Sequence, residues 1–134
     1  MLLPPPQIVS AQIPARAEFV HVLRSVAASA AARMNLNVDA IDDLRLSVDE
    51  ACAELLKAVP TASMLELSIR RTGIDVEVVV SADADPGTWP PHGHERTLAW
   101  QVLSGLSDEV TFERSSSGPA VRIRVHAVLE ELGH

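Results

Sequence analysis

The chain has 134 residues, of which 47% are hydrophobic and 22% charged, so its size and composition are those of one compact domain with a single core. Its 18 acidic residues against 11 basic ones give a net charge of −7. Such a chain repels phosphate backbones unless its basic groups gather on one face, and the sequence shows no basic cluster. Aromatic residues are only 3% of the chain, which disfavours a base-stacking platform, so we expect no nucleic-acid partner.

Cysteine usage and the N-terminus indicate a compartment. The single Cys52 cannot form an internal disulfide, and no Cys/His set has zinc-ligand spacing, which is typical of a reducing cytoplasm. The opening Met1–Pro6 lacks the basic and apolar segments of a signal peptide. We therefore expect a cytoplasmic protein without membrane association, in which residues 1–134 form one domain and residues 1–6 a Pro-rich flexible start.

The first half of the chain predicts a strand and two helices. Residues Gln7 to Ile13 are typical of a short strand, after which Pro14 opens a helix that ends near Met34. Its apolar residues fall at helical spacing: Phe19, Val22, Leu23, Val26, Ala27 and Ala30. Asp39 is the predicted N-cap of a second helix that runs to Pro60, and the two helices should form a hairpin-like pair.

The second half predicts two hairpins separated by a loop and a helix. Apolar and polar residues alternate over residues 65–70 and from Ile74 to Val80, and again over residues 110–113 and 121–126. Between the hairpins lie a Pro/Gly-rich loop over residues 81–95 and a helix from about Glu95 to Leu106. This order predicts an α+β two-layer sandwich, in which three helices cover one face of a mostly antiparallel sheet of about four to five strands.

Polar residues of the second helix form one line: Ser47, Glu50, Glu54 and Lys57. This line has two interpretations. Two carboxylates one turn apart suit a general base or a magnesium ligand that faces a cleft, but they are also common on a solvated helix face. The spacing alone favours the solvated face, because exposed pairs of this kind cost only about 0.2–0.5 kcal/mol.

The segment Asp43–Cys52 adds a resemblance to this pattern. It resembles the helix that carries the N-box of the anti-sigma factor serine kinases, which are members of the GHKL ATPase superfamily, and is closest to actinobacterial-type stress-response anti-sigma factors. Residues Pro14–Arg33 resemble the first helix of that family, and Leu106–Val110 resembles its link from the last helix to the next strand. The order of elements also agrees, so the resemblance covers about residues 7–127.

The resemblance implies an ATP site whose motifs are only partly present. In kinases of the family, the N-box Glu activates the acceptor serine and its Asn holds magnesium. Here Glu50 keeps the position of the catalytic base, but Glu54 stands at the Asn position. The adenine-contacting motif keeps Asp83 and Gly87 but has Asp85 where the family has a glycine.

The two phosphate-binding motifs are also changed. The glycine box falls on Arg96–Trp100 and has no glycine, and the late Gly-Thr pair corresponds to Gly118-Pro119. We therefore expect a vestigial nucleotide site formed by Glu54, Asp83, Gly87 and Arg96, with no metal and no cofactor. If the site is functional, the resemblance implies ATP and magnesium, with the magnesium held by Glu54. Arg96 has two interpretations: it binds an anion, or it is a capping or solvent-exposed residue.

The function implied by the resemblance is that of an anti-sigma factor. It would sequester an alternative sigma factor, act as a homodimer, and be relieved by an anti-anti-sigma partner with a STAS domain. We name His21 and Arg24, on the polar side of the first helix, as candidate partner contacts. Two alternatives stay open: an active serine kinase that phosphorylates the anti-anti-sigma protein, and an interaction module whose partner is not a sigma factor.

Three further residue types have structural interpretations. His92 and His94 lie in a loop without a further ligand cluster and are expected on the surface. Cys52 lies on an apolar helix stripe and should be an inert core residue. Trp89 either anchors a partner or folds back to fix its loop, and the second is the commoner role.

Overall fold

The computed structural model describes residues 7–127, so the predicted flexible start at residues 1–6 lies outside the described part. Residues 7–127 form three α-helices and five strands. In chain order these are β1 Gln7–Pro14, α1 Val20–Arg33, α2 Val38–Ala58, β2 Met64–Thr72, β3 Asp75–Ala82, α3 Leu98–Leu106, β4 Glu109–Arg114 and β5 Pro119–His126. The strands form one sheet in the order β1-β2-β3-β5-β4, and every neighbouring pair is antiparallel.

The core lies between the sheet and the helices. The inward-facing residues of the two central strands are fully buried, as the alternation predicted: Leu65, Leu67 and Ile69 on β2, and Val76, Val78 and Val80 on β3. Helix α1 packs over β1 and β2, α2 packs over β3 and β5, and α3 packs against α2 and β4. The predicted α+β sandwich with three helices and an antiparallel sheet is thus confirmed.

The outer face of the sheet is polar and tied by ion pairs. The Arg122 guanidinium on β5 binds Glu113 on β4, with Nε 2.7 Å from Oε1, and also binds Glu77 on β3. Its neighbour Arg124 pairs with Glu109 on β4 at 3.3 Å. These cross-strand pairs explain why β5 alternates apolar residues with arginine, because one face packs on the core and the other meets solvent.

Helix starts differ from the predictions. Asn37, not Asp39, is the N-cap of α2, because its side-chain Oδ1 accepts a hydrogen bond from the Ala40 N–H at 2.8 Å. Asp39 lies inside the first turn, where its carboxylate faces the positive end of the helix dipole. Helix α1 starts at Val20 and α3 at Leu98, because a short 3₁₀ turn precedes each of them.

Within residues 7–127, no helix has the length and apolar character needed to span a membrane.

Candidate functional site

A cavity of about 500 Å³ lies between the C-terminal end of α2 and the loop that joins β3 to α3. Its lining consists of Glu54, Lys57, Ala58, Pro86, Gly87, Thr88, Trp89 and Pro91. Of the predicted nucleotide-site residues, Glu54 and Gly87 line this cavity, whereas Asp83 and Arg96 do not. Lys57 and Thr88 line it as well, although the sequence pattern had not assigned either of them to a site.

The polar line of α2 is buried at Ser47 and Glu54, which contradicts its interpretation as a solvated helix face. Ser47 is fully buried and its hydroxyl donates to the Asp43 carbonyl oxygen at 2.9 Å, while Glu54 is only 8% exposed. Glu50 is half-buried and Lys57 is exposed. The reason is that α3 and the loop before it lie against a second side of α2, and the spacing of one helix does not show which neighbour covers its polar side.

The Glu54 carboxylate is paired inside its own helix. The Lys57 ammonium donates a hydrogen bond to Glu54 Oε2 at 2.7 Å. This hydrogen bond, together with the charge of Glu54, raises the pKa of Lys57, and the nearby Glu50 carboxylate adds to the effect. The carboxylate implied as a magnesium ligand is therefore already neutralised by an ammonium.

The donor set of the cavity does not fit the magnesium and ATP that the resemblance implies. Hard cations need several oxygen ligands, and a carboxylate that already binds an ammonium is a poor one. Among residues 7–127 there is no group of three or more His, Cys, Asp or Glu side chains able to hold a metal ion.

The loop uses its own polar groups to fix its backbone. Asp85, which replaces a family glycine, accepts the Gly87 N–H on Oδ1 at 2.8 Å, and Gly87 adopts a left-handed conformation with φ of 52°. The Asp83 N–H donates to the Met64 carbonyl oxygen at 3.1 Å, and its side chain is exposed. These backbone donors are thus used within the fold and are not directed at a ligand.

An aromatic cluster fixes the loop against the sheet. The Trp89 ring stacks on Phe112 with centroids 4.9 Å apart, and its Nε1 donates to the Glu113 carbonyl oxygen at 2.9 Å. His94 stacks on the same Phe112 ring at 5.0 Å and meets Trp100 edge to face at 5.1 Å. Trp89 therefore folds onto the core as expected, whereas the surface position predicted for His94 is wrong because this ring packs between two aromatic side chains.

Two other predicted loop residues lie at the surface. His92 is exposed, as the sequence indicated, and Arg96 is exposed at the end of the 3₁₀ turn that precedes α3. Thr97 caps α3 by accepting the Trp100 N–H at 3.2 Å, so Arg96 is not the capping residue. The structure does not bring Arg96 to the cavity that contains Glu54.

The late Gly-Thr position has a structural explanation here. Gly118 has φ of 146°, and a Cβ at this residue would lie 2.1 Å from the Ala82 carbonyl oxygen and 2.5 Å from that of Ala84. Only glycine allows this close approach of two backbone segments. The glycine is needed by the fold, and the following Pro119 offers neither a hydroxyl group nor an N–H to a ligand.

The candidate partner contacts lie on α1, away from the cavity. Arg24 pairs with Asp49 of α2 at 2.9 Å, so this side chain links the two helices and is not simply solvated. His21 is exposed, and its Nδ1 lies 3.1 Å from the Glu18 carbonyl oxygen. His21 is thus available to a partner, whereas Arg24 is partly engaged within the chain.

Comparison with known proteins places the chain in a family. The profile of the histidine kinase-like ATPase domain matches residues 13–125, and the chain belongs to this family. It is similar to the anti-sigma-F factor RsbW of Mycobacterium tuberculosis (strain ATCC 25618 / H37Rv), with 32% identity over 104 residues, which are 76% of this chain and 59% of that protein. It is also similar to the serine-protein kinase RsbW of Bacillus velezensis, with 27% identity in an alignment 144 positions long that covers 94% of this chain and 89% of that protein. The chain thus spans less than two thirds of the mycobacterial relative.

Proposed function

We propose that this chain is a cytoplasmic anti-sigma regulatory factor that sequesters an alternative sigma factor of a stress response and is relieved by an anti-anti-sigma STAS protein. The observation that carries the proposal is that residues 13–125 match the family and that a mycobacterial relative of the chain is named an anti-sigma factor. Sequestration needs a binding surface and no turnover, so it tolerates the loss of phosphate-binding glycines. The accessible side of α1, including His21, is the proposed contact region.

The nucleotide site is proposed to be vestigial. Glu54 is neutralised by Lys57, Asp85 closes its own turn, and Pro119 replaces a donor. These three changes fall in the motifs that the resemblance assigns to metal, adenine and phosphate, respectively. The competing candidate is an active serine kinase with Glu50 as the base. Two observations favour it: Glu50 is half-buried one turn before Glu54, and the Bacillus relatives are named kinases.

Calorimetric titration with ATP and magnesium separates these two candidates. We expect no heat of binding up to millimolar nucleotide, with the Bacillus velezensis relative titrated in parallel as the positive control. Micromolar affinity, or phosphate transfer to a serine of a STAS protein, would overturn the vestigial site and favour the kinase.

Sequestration itself is tested by direct binding. The purified chain, immobilised without nucleotide, is titrated with each alternative sigma factor of its host. We expect one sigma factor to bind, and we expect His21→Glu to weaken it while Arg45→Glu, an exposed position on α2, leaves it unchanged. If no sigma factor binds and the chain captures another signalling protein, the alternative of a non-sigma interaction module is favoured.

A homodimer is the proposed assembly, and the open edge of β1 is its proposed interface. Among residues 7–127, β1 pairs only with β2. Residues 7–13 carry no charged side chain, and Ile8 and Val9 are 52% and 39% exposed. The opposite edge, β4, contains Glu109, Glu113 and Arg114, the kind of charged residues that discourage strand addition. In an acidic chain, an uncharged open edge is where two copies can approach.

Helix α1 extends this apolar edge. The residues that face the sheet, such as Leu23 and Ala27, are buried, but Val22 is 37% exposed and Val26 is only partly buried. Arg24 binds α2. Val22 and Val26 lie two residues before and two residues after Arg24, about 200° around the helix in either direction, so both face away from α2. The apolar stripe of α1 is therefore wider than the surface that β1 and β2 cover, and its uncovered side continues the edge of β1.

A further inference from the structure

Helix α3 carries no charged residue, yet part of it faces solvent. All nine residues of Leu98–Leu106 are uncharged, and Leu98 and Val102, one turn apart, are 75% and 37% exposed. On the neighbouring α2, Leu46 is 55% exposed. The line through Leu98 and Val102 therefore exposes apolar side chains where a surface helix normally turns polar ones to water.

The packing of α2 against α3 brings these side chains to one surface. Asp43 of α2 and Leu106 of α3 line the same small cavity of about 230 Å³, so the start of α2 lies beside the end of α3. The last turn of α2 lies beside the loop that precedes α3, so the two helices run antiparallel. One turn from the small cavity, Leu46 is therefore level with Val102. We refer to Leu46, Leu98 and Val102 as the α2–α3 apolar face.

Acidic residues border this face on α2. Residues 39–50 contain five acidic residues against one basic residue. Asp42 and Asp43 lie one turn before Leu46. Glu50 lies one turn after it, so all three are on the same side of the helix as Leu46. Asp42 is exposed, and Asp43 and Glu50 are half-buried. The apolar face thus has an acidic rim, which attracts basic partners and repels acidic ones.

We propose that the α2–α3 apolar face binds a basic amphipathic helix of a second protein. The apolar stripe of that helix would cover the apolar face, and its lysine or arginine side chains would meet the acidic rim. A second copy of this chain does not fit, because two acidic rims would repel each other, and an anionic membrane surface is repelled in the same way. The face is separate from the α1 surface and the β1 edge, so the proposal goes beyond sigma-factor binding and dimer formation.

The experiment titrates the ¹⁵N-labelled full chain with a synthetic helical peptide of leucine, lysine and alanine. Its leucines are placed at i, i+3, i+4 and i+7, and its lysines are on the other side. We expect a Kd in the micromolar range, with backbone amide shifts concentrated on the apolar face and its acidic rim. Two control peptides separate the contributions: one has glutamine for leucine and keeps the charge, and one has glutamate for lysine and keeps the apolar stripe. Each should bind at least about tenfold more weakly.

Matched variants of the chain locate the binding surface. Leu46→Gln should weaken binding of the leucine–lysine peptide by about tenfold. Met64→Gln changes a 38% exposed methionine on the outer face of the sheet and should leave the Kd unchanged. Asp43→Asn should weaken binding by about twofold to fivefold, the effect of one partly exposed charge, whereas Glu66→Gln removes a charge from the outer face of the sheet and should have no effect. Circular dichroism on each variant establishes that it is folded.

Three outcomes would overturn the proposal. They are no binding of the leucine–lysine peptide to the wild-type chain, equal binding by Leu46→Gln and wild type, and amide shifts centred on α1 or on the outer face of the sheet. Equal binding of the leucine-free peptide would show charge attraction alone and would also overturn it. The sigma-factor titration uses a different surface and a different variant, His21→Glu, so either proposal can fail while the other stands.

Discussion

Gly118 shows at a single residue how a ligand motif and a fold requirement are distinguished. A Cβ there would lie 2.1 Å from a backbone oxygen, whereas a Cβ on Gly87 would meet nothing within 4 Å. We therefore expect Gly118→Ala to lower the free energy of unfolding by more than about 3 kcal/mol, because backbone must move. The matched Gly87→Ala should cost about 1 kcal/mol from its left-handed backbone alone. Urea denaturation of both variants measures the difference, and equal losses would contradict the structural role.

Cys52 predicts an alkaline loss of stability. Burial, with a smaller contribution from the Asp49 charge, raises the pKa of this thiol from 9.0 to about 12. The unfolded chain therefore releases this proton at lower pH than the folded chain, so the free energy of unfolding falls as pH rises from about 9 to 12. We expect a slope of about 1.4 kcal/mol per pH unit from this group. Denaturation of wild type and Cys52→Ala at several pH values should show a difference that shrinks in this window, and a constant difference would contradict the burial effect.

Residue identity alone predicted only part of the site. The sequence placed Glu50, Glu54 and Lys57 on one helix line, because helical geometry fixes that spacing. It did not predict that Glu54 is buried and Lys57 exposed, since this depends on α3 and on the loop that precedes α3, which reach α2 only in the tertiary structure. His94 was misplaced for the same reason, because Phe112 and Trp100 come from other elements.

Helix α2 offers a prediction at the scale of an element. Asn37 accepts the Ala40 N–H, while Asp39 lies within the first turn and makes no cap. Asn37→Ala should therefore lower the free energy of unfolding by about 1 kcal/mol. Asp39→Ala should cost less, about 0.3–0.5 kcal/mol, since it removes only an interaction with the helix dipole. Thermal and urea unfolding of the two variants measure this order, and a larger effect at Asp39 would show that the cap lies there.

Strands were predicted more reliably than helix starts, for a physical reason. Alternation over β2, β3 and β5 follows directly from which face meets the core, and those strands agree with the structure. Helices α1 and α3 begin later than predicted, because 3₁₀ turns share the composition of a first helical turn. Ile74, assigned to a strand, instead lies in the turn after Gly73 and is 47% exposed.

At the scale of the whole molecule, the unequal edges of the sheet suggest how two copies would join. The Ala15 N–H donates to the Ser63 carbonyl oxygen, and antiparallel alternation from this bond directs the backbone groups of Ile8, Ser10 and Gln12 away from β2. A two-fold axis at Ser10 would pair Ile8 with Gln12 of the second copy and Ser10 with itself. Such an axis keeps both helical layers on one face of the joined sheet and brings the Val22 side of each α1 toward the seam.

Sedimentation velocity of the purified chain tests this interface. We expect wild type to be a dimer and Val22→Glu to be a monomer, because the substitution would place like charges across the axis. Ser10→Pro should also give a monomer, since proline removes an N–H that points away from β2 and is tolerated at a sheet edge. Val38→Glu, at a 72% exposed valine in the first turn of α2, is the matched control and should remain a dimer. A monomeric wild type, or a dimeric Val22→Glu, would exclude the β1 edge as the interface and leave the sigma-factor proposal standing, since one copy presents its own α1 surface.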